Sequence, residues 1–229
     1  MNNEHPTGWP GEPIEPPGLG EIEAAARRLH GTIVRTPLIR LRDQMSNPRV
    51  LLKPETLQPI GSFKVRGVGN WALGLDAADA AKGLSTTSAG NTAQALGYMG
   101  QQLGVSSRSM VPDNLHAAKR SAIEAYGTEL VGVSMTDLML YMFDELWTAE
   151  PYCYLNPWGE PDMISGHGTI GLEVYEDLPT VDSVFVPVGG GALISGVAAA
   201  LKAIKPDVKI YAVQAEVNSA LAAAFTTGG

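Results

Sequence analysis

An α/β fold built mainly on parallel sheets is what this sequence predicts, and three observations predict it. Short apolar runs alternate with helical patterns of ten or more residues along most of the 229-residue chain. The clearest buried strand, residues 183–188, runs straight into three glycines and then a helical pattern. Three strand-to-helix turns gather small and polar residues, and parallel sheets bind ligands at the carboxyl ends of their strands.

The elements follow in order. Residues 1–18 carry Pro6, Pro10, Pro13, Pro16 and Pro17 with little apolar periodicity, which predicts a disordered Pro-rich tail. A helix is expected over 21–30, and Pro37 forces an extended approach through Arg35-Thr36-Pro37-Leu38. Residues 50–53 read as a strand, 64–75 as a helix, 84–87 as a strand and 91–103 as a helix with small residues on its packing face. A short strand over 109–111 ends at Pro112, followed by a helix over 116–126 and a strand over 129–133. Helices are expected over 136–148 and 168–178. After the 183–188 strand come a helix to 205, a strand over 209–214 and a last helix from about 218.

Charged residues make up 17% and apolar ones 45%, which allows one large domain or two small ones with real cores. A net charge of −8 argues against a nucleic-acid partner, since the longest basic clusters are the pairs Arg27-Arg28 and Lys119-Arg120. Cys153 is the only cysteine, so no intrachain disulfide forms, which fits a reducing compartment. No apolar run reaches the about 18 residues of a membrane span, and the reading is cytoplasmic.

Chemistry concentrates at the three turns. In Gly61-Ser62-Phe63-Lys64-Val65-Arg66-Gly67 a lysine sits between flexible neighbours, after a strand and at the start of a helix. Lysine attacks carbonyls when its surroundings lower its pKa and hold its amine still. The plainer reading is a solvated lysine. In Ser88-Ala89-Gly90-Asn91-Thr92, small residues allow close approach, and Ser88, Asn91 and Thr92 bring polar groups to a helix N-terminus, where a carboxylate is favoured. An ordinary cap by Ser88 or Asn91 explains the same residues. Gly189-Gly190-Gly191-Ala192-Leu193 forms an amide-lined cup suited to phosphate. It lacks the Lys-Ser/Thr pair of a Walker loop and the G-x-G-x-x-G spacing, because Ile194 stands where the third glycine belongs. A reactive amine, a carboxylate turn and a phosphate cup together imply pyridoxal 5′-phosphate and an amino-acid substrate.

These residues resemble the fold-type II pyridoxal-phosphate enzymes, most closely the threonine/serine dehydratases (threonine ammonia-lyases). Besides the three turns, the resemblance rests on Arg35-Thr36-Pro37-Leu38 and Gly166-His167-Gly168-Thr169-Ile170-Gly171. It implies two doubly wound parallel-sheet domains of the tryptophan-synthase-β-like kind. The larger comprises 19–48 and 136–229, the smaller 49–135, with Lys64 at the cleft between them. It implies that Lys64 is the Schiff-base lysine and proton-transfer base, that Phe63 packs near the cofactor ring and that Asn91 bonds its 3′-oxygen. The amides of Gly189, Gly190, Gly191, Ala192 and Leu193 would hold the phosphate, and Ser88, Ala89, Gly90 and Thr92 the substrate carboxylate. The implied reaction is β-elimination from a hydroxy amino acid such as threonine or serine to a 2-oxo acid and ammonia. A homodimer is the family's habit.

Departures sharpen the expectation. Thr92 stands where the family usually has histidine, which leaves substrate preference open. Ala192 replaces a frequent fourth glycine. Ala89 replaces the proton-exchanging serine of serine racemases, which disfavours racemisation. Gln214 lies near a cation-binding glutamate position of some relatives, and His5, His30, His116 and His167 lack metal spacing, so no metal is expected. The chain ends at Gly229, before the family's usual final strands and helices, so the larger domain is expected to be incomplete. Two competing readings stand beside this one: a noncatalytic truncated remnant, and a nucleotide-binding oxidoreductase using the glycine turn, which leaves Lys64 and the 88–91 turn unexplained.

Overall fold

The computed structural model describes residues 14–41 and 50–227. Most of the predicted Pro-rich tail lies outside the described residues. The chain forms α1 (Leu19–Leu29), an antiparallel pair β1 (Ile39–Arg40) and β2 (Leu51–Leu52), then α2 (Lys64–Gly74) and α3 (Ala77–Ala81). A four-stranded parallel sheet follows from β3 (Leu84–Thr87), β4 (Ser107–Pro112), β5 (Glu129–Val133) and β6 (Cys153–Leu155), in the order β5-β4-β3-β6. Its connections are α4 (Asn91–Leu103), α5 (Ala117–Glu124) and α6 (Met135–Phe143). The long α7 (Pro161–Asp177) leads to the parallel pair β7 (Ser183–Pro187) and β8 (Lys209–Val213), joined by α8 (Ala192–Ile204), and α9 (Ala220–Thr227) closes the described chain. No described helix is long and apolar enough to cross a membrane.

Among the differences from the sequence expectation, three have a clear physical reason. Helix α7 starts at Pro161, not at 168: Pro161 occupies the first helical position, where its missing N–H costs nothing, and Glu160 caps the Asp162 amide. Helix α6 stops at Phe143, because Glu145 turns left-handed at φ 51° and a 3₁₀ turn takes over 146–149. The strand β6 was not expected. It pairs in parallel with β3, so the four-stranded sheet takes its edge strand from beyond residue 135, where the sequence division put the larger domain.

Two apolar clusters fill the interior. One packs Val65, Val68 and Trp71 of α2 against Leu84, Leu96, Met99, Leu155 and Met163. The other joins Ile170 and Val174 of α7 to Val186, Val197, Leu201 and Val208. Helix α7 runs between them, and its glycines let neighbours touch backbone. A Cβ at Gly166 would collide with the Arg66 carbonyl, and one at Gly171 would lie 2.8 Å from the Ala200 Cβ. On the partner helices, a Cβ at Gly67 would strike the Met163 and His167 side chains, and one at Gly196 the Ile164 carbonyl. The Gly166-to-Gly171 motif is therefore a packing seam. It presses α2, with Lys64 at its first turn, and α8, with the glycine turn at its start, onto one rigid helix.

Candidate functional site

Lys64 is the first residue of α2 and is half-buried. Its amide donates to Ser62 Oγ at 3.3 Å, and its Nζ lies 5.2 Å from the centre of the Phe63 ring. Among the described residues, Nζ makes no hydrogen bond or ion pair. Burial with no counter-charge pushes its pKa below the ordinary lysine value. A depressed pKa on a held amine is the condition a carbonyl-attacking lysine needs.

Two clefts meet at Lys64. The first, about 220 Å³, is walled by Phe63, Lys64, Pro157, Trp158 and Pro187, with residues 189–194 forming its other side. Its glycine turn places Gly191 at φ 93°, a left-handed geometry that favours glycine. Helix α8 then begins with no side chain capping it, so no cap takes up its first amides. A Cβ at Gly190 would come within 3.0 Å of the Trp158 ring. Backbone donors at a helix start are the donor set for a phosphate, and Phe63 gives a flat apolar wall beside the amine. Phosphate, aromatic ring and aldehyde each find a matching group here, so these residues fit pyridoxal phosphate.

The second cleft, about 400 Å³, shares Lys64, Pro157 and Trp158 with the first and continues along Thr87, Ser88, Ala89 and Thr92. Behind it Ser109 Oγ fixes the turn, accepting from the Ser88 amide at 3.1 Å and donating to the Ser88 carbonyl at 2.7 Å. Ser88 Oγ accepts from the Gly90 amide at 3.3 Å. The cap residue of α4 is Gly90, and no side chain caps the helix. The amides at the start of α4 thus stay available to a carboxylate.

The two clefts bring together Phe63, Lys64, Ser88, Ala89, Thr92, Gly189, Gly190, Gly191, Ala192 and Leu193. Gly90 and Asn91 are not in their walls; Asn91 is exposed, and its Oδ1 accepts from Gln94 at 3.4 Å. Sequence reasoning did not assign Thr87, Met110, Leu138, Met142 or Trp158 to the site. Thr87 is the last residue of β3, and its hydroxyl accepts from Tyr154 Oη at 3.0 Å. Burial pushes the Tyr154 phenol up to about 12, so it remains a donor throughout the neutral range. Trp158 stands in the turn between β6 and α7, at the carboxyl end of a strand too short to notice. The signal was there in Asn156-Pro157-Trp158-Gly159, a large aromatic inside a turn.

Beneath Lys64 lies a closed charge cluster. Arg66 is fully buried. Its Nε and Nη2 donate to Glu55 at 2.7 and 2.9 Å, and its Nη1 and Nη2 donate to Glu173 at 2.7 and 2.9 Å. Lys53 Nζ joins Glu173 at 2.5 Å, and Thr36 Oγ1 donates to Glu55 at 2.7 Å. Burial acts to lower the Arg66 pKa, but its two carboxylate partners hold it above the ordinary value. The adjacent His167 is fully buried, its ring edge-on to Phe63 with centres 5.0 Å apart. Neither ring nitrogen finds a partner among the described residues. Burial, then the charges of Lys64 and Arg66, pushes its pKa well below the usual histidine value.

The sequence profile of the family described as pyridoxal-phosphate dependent enzyme matches residues 29–229. The chain belongs to this family. Among curated relatives, the chain is 38% identical over 212 residues to the catabolic L-threonine dehydratase TdcB of Staphylococcus aureus strain N315. That match takes in 90% of this chain and 61% of the relative, so the chain spans about three fifths of that relative's length. Among solved structures, a T.th. threonine deaminase superposes with a TM-score of 0.85 at 34% identity, over 93% of this chain and 70% of that one. Maize serine racemase superposes with a TM-score of 0.86 at 30% identity, over 93% and 66%. The fold is that of the fold-type II members of the family, and pyridoxal phosphate is the family's cofactor.

Proposed function

We propose that the chain carries the lysine, phosphate and carboxylate sites of an enzyme that deaminates a hydroxy amino acid such as threonine or serine to a 2-oxo acid and ammonia. The observation that carries this reading is the junction at Lys64. One amine faces an anion cradle on one side and a carboxylate-suited turn on the other.

Pyridoxal phosphate, when bound, supplies the electron sink that makes an amino acid's α-proton acidic. Lys64 Nζ, whose pKa burial lowers, would hold the cofactor aldehyde until the substrate's amine displaces it, and the freed amine would then accept that α-proton. The amides of residues 189–193 would hold the phosphate and Phe63 would support the ring; Asn91, outside both cleft walls in this structure, would have to turn inward to bond the ring's 3′-oxygen. The 88–92 turn would hold the substrate carboxylate, fixing the α-carbon beside Lys64 so that proton transfer needs no search. Loss of the β-hydroxyl as water, followed by uptake of water, balances to the 2-oxo acid and ammonia. Ala89 has no proton to exchange, which favours elimination over racemisation.

The same reading includes a small-molecule substrate, no nucleic-acid partner, a cytoplasmic setting in keeping with the lone Cys153, and a homodimer. Ammonia and 2-oxo acid should appear when the cofactor-loaded chain meets L-threonine or L-serine, and should vanish in Lys64→Ala. Cofactor binding without turnover on any hydroxy amino acid would instead support the noncatalytic reading.

A further inference from the structure

Helix α6 carries more apolar surface than the cleft uses. Leu138 and Met142 form one row, face the second cleft and are buried. Met135 and Met139, each three residues before a member of that row, start a second row that continues to Phe143. Met135 is 56% exposed and Met139 36%, so the apolar face of α6 runs past the cleft and out over its rim. The outer face of a solvated helix is ordinarily polar.

The opposite rim is the turn between β6 and α7, where Trp158 joins the cleft wall. Beside it, Gly159 makes room for a remote segment: a Cβ there would lie 3.1 Å from Ile14 Cδ1. Ile14 is the first described residue, so the chain meets the body of the protein at the cleft rim. Residues 1–13 lie outside the described residues.

We propose that residues 5–11 dock on the outer row of α6, with Trp9 against Met135 and Met139, so that the N-terminal segment straps the mouth of the second cleft. The segment has the right chemistry. His5-Pro6-Thr7-Gly8-Trp9-Pro10-Gly11 holds no lysine, arginine or carboxylate, and Glu4 and Glu12 bound it on either side. A tryptophan ring on two thioethers is a favourable sulfur–aromatic pairing. Reach suffices as well. Pro6, Pro10 and Pro13 favour an extended path of about 3.1 Å per residue, which carries Trp9 about 16 Å from Ile14. The cleft to be crossed has a volume of only about 400 Å³.

Tethering decides between this occupant and a second copy of the chain. A segment anchored at the rim meets α6 at millimolar effective concentration. A second copy must associate from dilute solution against a net charge of −8 on each chain. Docking would tie α6 to the 156–159 turn, the two sides of the cleft, and shield the Lys64 amine from bulk water. The proposal concerns access to the cleft and does not depend on which amino acid the cleft takes.

The test reads Trp9 by itself, as the tryptophan emission of the full chain minus that of Trp9→Phe. The difference spectrum should be blue-shifted from that of a solvated tryptophan and should resist quenching by acrylamide. Met135→Asp and Met139→Asp, each checked for folding by circular dichroism, should abolish the shift and raise quenching several-fold. Solvated emission from Trp9 in the parent chain overturns the proposal, as does a shift that both folded variants keep. The shift should also hold on dilution; one that fades would assign the row to a second copy and overturn the strap. Deletion of residues 2–13 supplies a measurement that needs no change on α6. It should expose the row and raise the binding of an apolar dye, and unchanged dye binding would contradict the docking.

Discussion

Lys64 and Arg66 stand two residues apart on the same turn of α2, and their surroundings are opposites. Arg66 is fully buried and met by two carboxylates, a threonine hydroxyl and a backbone carbonyl. Lys64 borders two clefts and, among the described residues, has no acid to meet it. One cation is raised in pKa and serves the architecture; the other is lowered and is left reactive. Enclosure by the chain's own carboxylates makes a charge structural, while burial without them keeps an amine ready for a carbonyl.

The contrast breaks most visibly at Arg66. Arg66→Met leaves Glu173 paired with Lys53 and the half-buried Glu55 with no cation among the described residues, and should cost about 3–5 kcal/mol in urea unfolding. A loss below about 1 kcal/mol would mean that the cluster is not what holds α2 to α7.

Next comes the seam that brings the two helices together. Gly166→Ala drives a methyl into the Arg66 carbonyl and should cost about 1–3 kcal/mol. Gly20→Ala, where a Cβ meets nothing within 4 Å, should instead stabilise α1 by up to about 1 kcal/mol. Similar effects at the two sites would remove the packing role assigned to the 166–171 motif.

A smaller effect depends on pH. His167 has a folded pKa well below 6.5, so the unfolded chain takes up a proton first as pH falls. Stability is therefore full above about pH 6.5 and declines below it, at up to about 1.4 kcal/mol per pH unit from this group. The decline continues until the folded pKa is reached. His167→Leu should flatten that part of the profile in urea unfolding at stepped pH. An unchanged slope would show that the imidazole is not held neutral between Phe63, Lys64 and Arg66.

Smallest of all is the stability effect at Lys64. Its lowered pKa means that folding works against its charge, so Lys64→Met should leave the unfolding midpoint unchanged or slightly higher. A loss as large as that at Arg66 would make Lys64 a second structural cation.

How legible this was in the sequence follows the same division between local and remote causes. Strands β3 and β5 and helix α4 fall where the turn residues around them said they would. Helix α7 hid its first two turns, because Gly166 and Gly168 look like turn signals until α2 packs against the first and Ile22 of α1 against the second. Strand β6 is three residues between Pro151 and Pro157, and only its pairing with β3 makes it a strand. The site divides likewise. Lys64 and the glycine turn carry their chemistry in consecutive residues, whereas Thr87, Met110, Leu138, Met142 and Trp158 are scattered over separate segments. Nothing in their local sequence says that they share a cleft.

The most direct measurement is the absorption spectrum of the purified chain titrated with pyridoxal phosphate, before and after borohydride reduction. A violet band that borohydride abolishes while leaving a pyridoxyl group fixed to Lys64, and that never forms in Lys64→Met while that variant stays folded, is the expected result. No band with the wild-type chain folded, or a band that survives in Lys64→Met, would contradict the assignment of Lys64 as the reactive amine.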